Sequence, residues 1–115
     1  QGVAQYTYQP LSSLQLMMAL RDSREARHFY DAYKEAVEAK TSREMAGELL
    51  NTVELYVENH GDYKKTAEQI NQHENTVRYR INRVRSALGM ENDLIRFHET
   101  ISIASKLKLL LDDDR

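Results

Sequence analysis

The 115-residue chain contains no cysteine, one proline and four glycines. The lack of cysteine excludes a disulfide framework and a thiolate metal site. So few glycines and prolines leave little turn chemistry for hairpins, and the β-branched residues do not alternate with polar ones as strands require. No apolar run approaches the roughly 18–20 residues that span a bilayer. We therefore predict an all-α fold of about six helices that does not associate with membranes.

The net charge of −2 hides an uneven distribution along the chain. Residues 1–61 carry a net charge of −3 and residues 90–115 carry −2, whereas residues 62–89 carry +3. Four arginines and no acid lie between Asn75 and Leu88. A basic segment inside an acidic chain indicates a surface that meets an anionic partner such as nucleic acid.

Helical periodicity and capping residues divide the chain into segments. After an extended lead-in at residues 1–10, we expect helices at about residues 12–20, 24–39 and 42–60, the last capped by Thr41 or Ser42 and ended by Gly61. Next we expect a short helix at 63–70 capped by Asp62 and a break at residues 71–72. Two more helices follow, one at 74–88 that Gly89 ends and one at 97–111, and an acidic tail occupies residues 112–114. The expected inner faces are Leu14, Met17 and Met18 in the first helix, Phe29, Tyr33, Ala36 and Val37 in the second, and Met45, Ala46, Leu49, Val53, Tyr56 and Val57 in the third.

This division predicts one compact domain with three parts. Residues 1–61 form a helical support, residues 62–89 form a helix-turn-helix, and residues 90–115 form a C-terminal helix and tail. Because the chain starts with glutamine and no secretory segment follows, we expect a fragment of a longer cytoplasmic protein.

The helix at 74–88 has two distinct faces. At about 100° per residue, Ile81, Val84 and Leu88 fall within about 40° of Val77 and predict a buried seam. The opposite side carries hydrogen-bonding side chains, and arginines flank the seam. This pattern suits a major-groove recognition helix, because Asn and Arg can bond twice to a purine edge and arginines reach phosphates. The outward residues are Asn75, Tyr79, Asn82 and Ser86, with Thr76 and Arg83 beside them and Arg78 and Arg80 at the flanks. The alternative is a solvated amphipathic helix with an arginine-rich outer face.

Two strings carry a family resemblance: G-D-Y-K-K-T-A-E-Q-I at residues 61–70 and H-E-N-T-V-R-Y-R-I at residues 73–81. They resemble the C-terminal helix-turn-helix of the bacterial purine-catabolism and sugar-diacid regulators (PucR/CdaR type). The turn region is also similar to the DNA-binding end of factor-for-inversion-stimulation-type proteins. The resemblance implies a transcriptional regulator that binds a palindromic operator as a homodimer. It also implies an N-terminal sensor domain and a catabolic operon as the regulated target.

Together, the helical pattern and the resemblance predict a DNA-binding set in both helices. The N-terminal residues of a recognition helix do most of the base reading, and the first turn of the preceding helix binds phosphate. Two residues depart from the family pattern: Glu74 stands where Arg or Lys is common, and Gln72 where an apolar residue is usual. We expect Glu74 to accept a hydrogen bond from a cytosine amino group or to repel phosphate. The predicted DNA-binding residues are Lys64, Lys65, Thr66, His73, Glu74, Asn75, Thr76, Arg78, Tyr79, Arg80 and Arg83.

Other functions find little support in the sequence. The four histidines lack the spacing of a zinc site, and we expect His73 to act as an N-cap or phosphate neighbour. No catalytic constellation or phosphate-binding loop is present, so we predict neither an enzyme nor a cofactor. The alternative to DNA binding is a protein-interaction or dimerisation module that uses the basic helix. RNA binding is a weaker third hypothesis, because the A-form major groove excludes a helix.

The C-terminal helix has a wide apolar arc. We expect it to be a buried core helix, and the alternative is that its surplus apolar surface contributes to a two-fold dimer interface. The arc consists of Phe97, Ile101, Ile103, Ala104, Leu107, Leu110 and Leu111.

Overall fold

A computed structural model describes residues 13–112, and this part of the chain contains six helices and no strand. The predicted all-α fold with about six helices is confirmed. The predicted lead-in at residues 1–10 and the acidic tail at 113–114 lie outside the described residues, as does the side chain of Asp112. No helix between residues 13 and 112 is long and apolar enough to cross a membrane. The helices are α1 (Ser13–Met18), α2 (Arg24–Glu38), α3 (Arg43–Glu58), α4 (Tyr63–Gln69), α5 (Glu74–Ala87) and α6 (Leu94–Asp112).

Helices α2 to α6 each begin after a side chain that accepts a hydrogen bond from a free backbone N–H of the first turn. Ser42, not Thr41, caps α3, and its Oγ accepts from Met45 N at 3.1 Å. The caps expected at Asp62 and His73 are confirmed. The predicted start of the last helix at Phe97 is wrong, because Asp93 accepts from Arg96 N at 3.0 Å and α6 begins at Leu94.

Three successive helices end in the same backbone motif, in which a residue with positive φ follows the helix. His60 has φ 57° after α3, Asn71 has φ 56° after α4, and Gly89 has φ 71° after α5. The closing bonds are Gly61 N to Tyr56 O at 2.8 Å, Gln72 N to Ala67 O at 2.9 Å, and Met90 N to Arg85 O at 3.0 Å. The expectation for Gly89 is confirmed, but α3 already ends at Glu58 and His60, not Gly61, takes the first left-handed position.

The main core lies where α3 meets α5 and α6, with α2 and α4 closing its sides. The predicted seam of α5 is confirmed at Val77, Ile81 and Val84, which are fully buried, while Leu88 is half-buried. The residues of the predicted apolar arc of α6 are buried within the chain, except Ile103, which is half-buried. They therefore form the core helix that we expected. The core residues are Tyr33, Val37, Ala46, Leu49, Val53, Tyr56, Ala67, Val77, Ile81, Val84, Met90, Phe97, Ile101 and Ala104.

A second, smaller cluster joins α1 and the start of α2 to the end of α6 through Met17, Ala26, Leu107, Leu110 and Leu111. The first helix ends at Met18, two residues before the predicted end. The prediction that Met18 faces inward is wrong, because its side chain is 53% exposed. The packing of α1 is mainly on α6, so only a narrow stripe of this short helix is covered.

Two glycines should respond to alanine in opposite directions. Gly89→Ala places a Cβ in the left-handed region at φ 71°, which costs roughly 1–2 kcal/mol. Gly47→Ala lies inside α3 with nothing within 4 Å of the new Cβ, and removal of a helix-interior glycine stabilises by roughly 0.5–1 kcal/mol. Urea denaturation of the two variants measures both changes, and a shift of the same sign in both would contradict the assigned backbone conformations.

Candidate nucleic-acid interface

A buried polar network holds α4 against the end of α3. Asn59 donates from Nδ2 to Thr66 Oγ1 at 3.2 Å and to Gln69 Oε1 at 2.9 Å. Thr66 in turn donates to the backbone oxygen of Asp62 at 2.8 Å. No buried side-chain nitrogen or oxygen among the described residues lacks a partner. Because buried polar groups are costly to leave unpaired, this network fixes how α4 leaves α3.

Thr66, a member of the predicted DNA-binding set, belongs to this buried network. Its side chain is fully buried and both of its hydroxyl bonds are internal. Lys64 and Lys65, which precede it in the first turn of α4, are exposed. The backbone N–H of Lys65 is taken by the Asp62 cap. The first turn of α4 therefore presents two lysine side chains and no threonine hydroxyl.

Arg80 ties α5 to α3. It donates from Nη1 to Thr52 Oγ1 at 3.1 Å, and its Nη2 lies 3.6 Å from Glu48 Oε1. Thr52 is fully buried and donates its own proton to Glu48 O at 2.8 Å. The predicted contact of Arg80 with a DNA phosphate stays a prediction, although only 17% of its side chain is exposed. The cause of this low exposure is its place on the helix, close to the buried seam, where α3 offers it both an acceptor and a carboxylate.

The outward face of α5 carries the remaining predicted reading residues. Asn75, Asn82 and Ser86 are exposed, Thr76 is half-buried, and Tyr79 is 54% exposed. Ser86 donates to Glu91 Oε2 at 3.1 Å. The opposite face is the buried seam, so this row is the part of α5 that a partner can reach.

Tyr79 and Arg83 form a pair on this face. Arg83 donates from Nη1 to Tyr79 Oη at 2.8 Å, and its guanidinium carbon lies 5.8 Å from the centre of the Tyr79 ring. A longer contact of 3.5 Å runs from Arg83 Nη2 to the backbone oxygen of Lys40, in the loop between α2 and α3. Both side chains are therefore held in place before any partner binds.

Arg78 and Glu74 form a second pair, at the edge of α5 that faces α4. Arg78 Nη2 lies 3.7 Å from Glu74 Oε2, with about half of each side chain exposed. The Arg78 guanidinium carbon lies 4.3 Å from the centre of the Tyr63 ring, at the start of α4. Glu74, which departs from the pattern described above, therefore has a cation beside it. The negative charge that it adds near the N-terminus of α5 is partly balanced by Arg78.

His73 caps the N-terminus of α5. Its Nδ1 accepts from Asn75 N at 3.1 Å, and its side chain is exposed. Since Nδ1 serves as the acceptor, the neutral ring carries its proton on Nε2, which faces away from the capped N–H. The other departure from the family pattern, Gln72, is an exposed residue of the turn between α4 and α5.

Sequence reasoning missed the residues that brace the helix-turn-helix. Asn59, Thr52 and Tyr63 lie 7, 28 and 15 positions from the residues they contact. Each contact reaches a helix from a different helix or, for Asn59, from the residue that ends one. Periodicity within one helix carries no information on such pairs. Of these three residues, only Thr52 could have been noticed from the sequence, because it is a polar residue on the apolar side of α3.

Behind Tyr63 lies an aromatic cluster that reaches α6. The Tyr56 and Tyr63 rings are 5.3 Å apart, and Tyr56 Oη lies 3.1 Å from His98 Nε2. His98 Nδ1 lies 3.1 Å from the backbone oxygen of Leu94, so the tautomer protonated on Nδ1 satisfies both contacts. Within residues 13–112, no group of three or more His, Asp or Glu side chains is placed to hold a metal ion.

The family model described as the PucR C-terminal helix-turn-helix domain matches residues 49–108. The match begins in α3, covers α4 and α5, and ends in α6. In the comparisons with curated proteins and with solved structures, nothing matches the chain.

The aromatic cluster predicts an alkaline loss of stability. Burial, followed by the contact with Tyr63, raises the pKa of Tyr56 from 10.0 to about 12, and burial also raises the pKa of Tyr33. The folded protein therefore keeps phenol protons that the unfolded chain releases, and the free energy of unfolding should fall as pH rises from about 10 towards 12. Urea denaturation across this range should show a smaller pH-dependent loss for Tyr56→Phe. Equal losses in the variant and the unmodified chain would contradict the assignment.

Proposed function

Because the chain belongs to the family of the PucR C-terminal helix-turn-helix domain, whose helix-turn-helix indicates DNA binding in transcription regulation, we propose that it reads a double-stranded operator sequence-specifically. In this proposal α5 is the recognition helix and lies in the major groove, while the first turn of α4 contacts the phosphate backbone.

The outward row of α5 is the observation that supports this proposal most directly. Asn75 and Asn82 are exposed, and neither side chain has a hydrogen-bond partner within residues 13–112. A carboxamide can pair twice with an adenine edge, which makes it a base reader when it is free and rigidly mounted. Asn75, Thr76 and Tyr79 lie in the N-terminal half of the helix, the part that does most of the base reading. We assign these three residues to base contacts and Arg83 to the same face.

We assign the phosphate contacts to the cations around this row. Lys64 and Lys65 are exposed on the first turn of α4, and Arg78 lies on the edge of α5 next to that turn. His73 at the N-terminus of α5 is a further phosphate neighbour. These side chains carry no base information, but they set the register of the protein on the duplex and the salt dependence of affinity.

Glu74 gives this domain its own site preference. With Arg78 at 3.7 Å, its carboxylate is partly neutralised instead of repelling the backbone freely. From the first turn of α5 a carboxylate can accept from the amino group of cytosine. The operator therefore includes a position that differs from the sites of relatives with Arg or Lys in this place.

We further propose that the domain acts as one half of a homodimer on a palindromic operator that controls a catabolic operon. A two-fold dimer sets two recognition helices about 34 Å apart, one turn of DNA. The family describes a C-terminal domain, which supports a sensor domain N-terminal to it in the regulator.

Substitutions separate base readers from phosphate contacts. Asn75→Ala and Tyr79→Ala should each change sequence preference and weaken operator binding, with a discrimination loss of about 1–3 kcal/mol for a paired base. Lys65→Gln should weaken binding to all duplexes about equally and reduce the slope of log K against log salt by about one. Fluorescence anisotropy with the operator and a scrambled duplex measures both effects.

Arg24→Gln is the matched control, because it removes one exposed cation at the start of α2, two residues before Ala26 of the second cluster. Its binding should equal that of the unmodified domain. Unchanged operator affinity in both Asn75→Ala and Tyr79→Ala would refute the assigned reading face. If the domain shows no duplex affinity above a nonspecific baseline at about 150 mM salt, the interaction-module hypothesis replaces DNA binding.

The dimer proposal has a separate test. Sedimentation equilibrium at micromolar concentration, with and without operator, should yield a species of twice the 13.4 kDa chain mass. On DNA, a palindrome should bind two chains and a single half-site one chain. A strictly monomeric chain that also binds palindrome and half-site with equal stoichiometry would exclude the dimer for this domain.

A further inference from the structure

Building on the proposed function, we propose that Tyr63 is a positioning residue that holds the Arg78 guanidinium flat at the junction of α4 and α5 for a phosphate of the operator backbone. Tyr63 does not itself contact DNA in this arrangement. Its ring supplies the surface on which the arginine lies.

The stacking geometry leaves the hydrogen-bonding edge of Arg78 available. The guanidinium carbon lies over the Tyr63 ring, 4.3 Å from its centre, which is within the range of a cation–π contact. All five N–H donors of arginine lie in the guanidinium plane and point to its edges. One edge approaches Glu74 at 3.7 Å, and about half of the Arg78 side chain is exposed. The remaining donors can therefore meet a phosphate oxygen without breaking the stack.

The Tyr63 ring is itself firmly supported. It packs on Tyr56, whose ring is 5.3 Å away and whose side chain is buried. Tyr56 is in turn fixed by His98 of α6 at 3.1 Å. The Tyr63 ring thus packs on a side chain of α3 that α6 in turn holds in place, and it can order the arginine that lies over it.

The neighbours of this pair indicate a phosphate as the ligand. Lys64 and Lys65 follow Tyr63 directly in the first turn of α4, and both are exposed. Arg78 therefore lies between the first turn of α4 and the start of α5, where a helix-turn-helix meets the sugar-phosphate backbone. An arginine ordered in advance loses less rotamer entropy on binding, which is the advantage that the tyrosine provides.

A double-mutant cycle tests the assignment. Tyr63→Leu should weaken operator binding about three- to fivefold, as loss of an arginine–aromatic contact predicts. In an Arg78→Ala background the same change should have almost no further effect, because the residue through which Tyr63 acts is gone. Tyr63→Phe keeps the ring and should bind like the unmodified domain. Tyr30→Leu is the control, since Tyr30 also carries a cation over its ring, Lys34 at 5.7 Å, but lies on α2.

A purely structural role for Tyr63 predicts different results. Binding would then fall equally with and without Arg78, in proportion to the folded fraction measured by thermal denaturation. Additive losses, failure of Tyr63→Phe to restore binding, or unchanged affinity in Tyr63→Leu would each overturn this inference while leaving the proposed function intact. An unmodified domain that does not bind duplex DNA would instead overturn the proposed function, and the role of Tyr63 with it.

Discussion

The burial of one side of α5 against α3 is the contact on which the rest of the structure depends. Val77 and Val84 have no exposed surface and Ile81 almost none, and each such side chain contributes roughly 1.5–3 kcal/mol relative to an exposed one. Since side chains have a fixed angular order on a helix, burial of this seam turns Asn75 and Tyr79 outward at the same time. Stability and presentation of the reading face therefore have a single cause.

Polar contacts then orient α5 about that seam. On one edge Arg80 reaches the buried Thr52 and the carboxylate of Glu48. On the other edge Arg78 lies on Tyr63 of α4. The two arginines are two residues apart in sequence and contact different helices, so rotation of α5 in either direction would break one of these contacts. A recognition helix needs this rigidity, because small displacements of its side chains would move them off the base edges.

Local sequence patterns predicted most of the secondary structure and part of the site. The seam of α5, the caps at Asp62 and His73, and the left-handed Gly89 follow from periodicity and from side-chain chemistry within a few residues, and they are confirmed. The start of α6 was missed at Asp93, and the inward assignment of Met18 was wrong. In the site, Thr66 and Arg80 were assigned to DNA on their sequence positions alone. The structure shows that both also make hydrogen bonds to α3 or to the turn that follows it, which those positions did not reveal.

The sequence by itself determined that the chain is helical, that residues 62–89 hold the basic helix-turn-helix, and which side of α5 is polar. Only the tertiary structure decided which polar residues are available to a partner. Availability depends on contacts between helices, such as Asn59 with Thr66 or Tyr63 with Arg78. Such contacts join residues whose separation has no fixed period, so a pattern within one helix cannot reveal them.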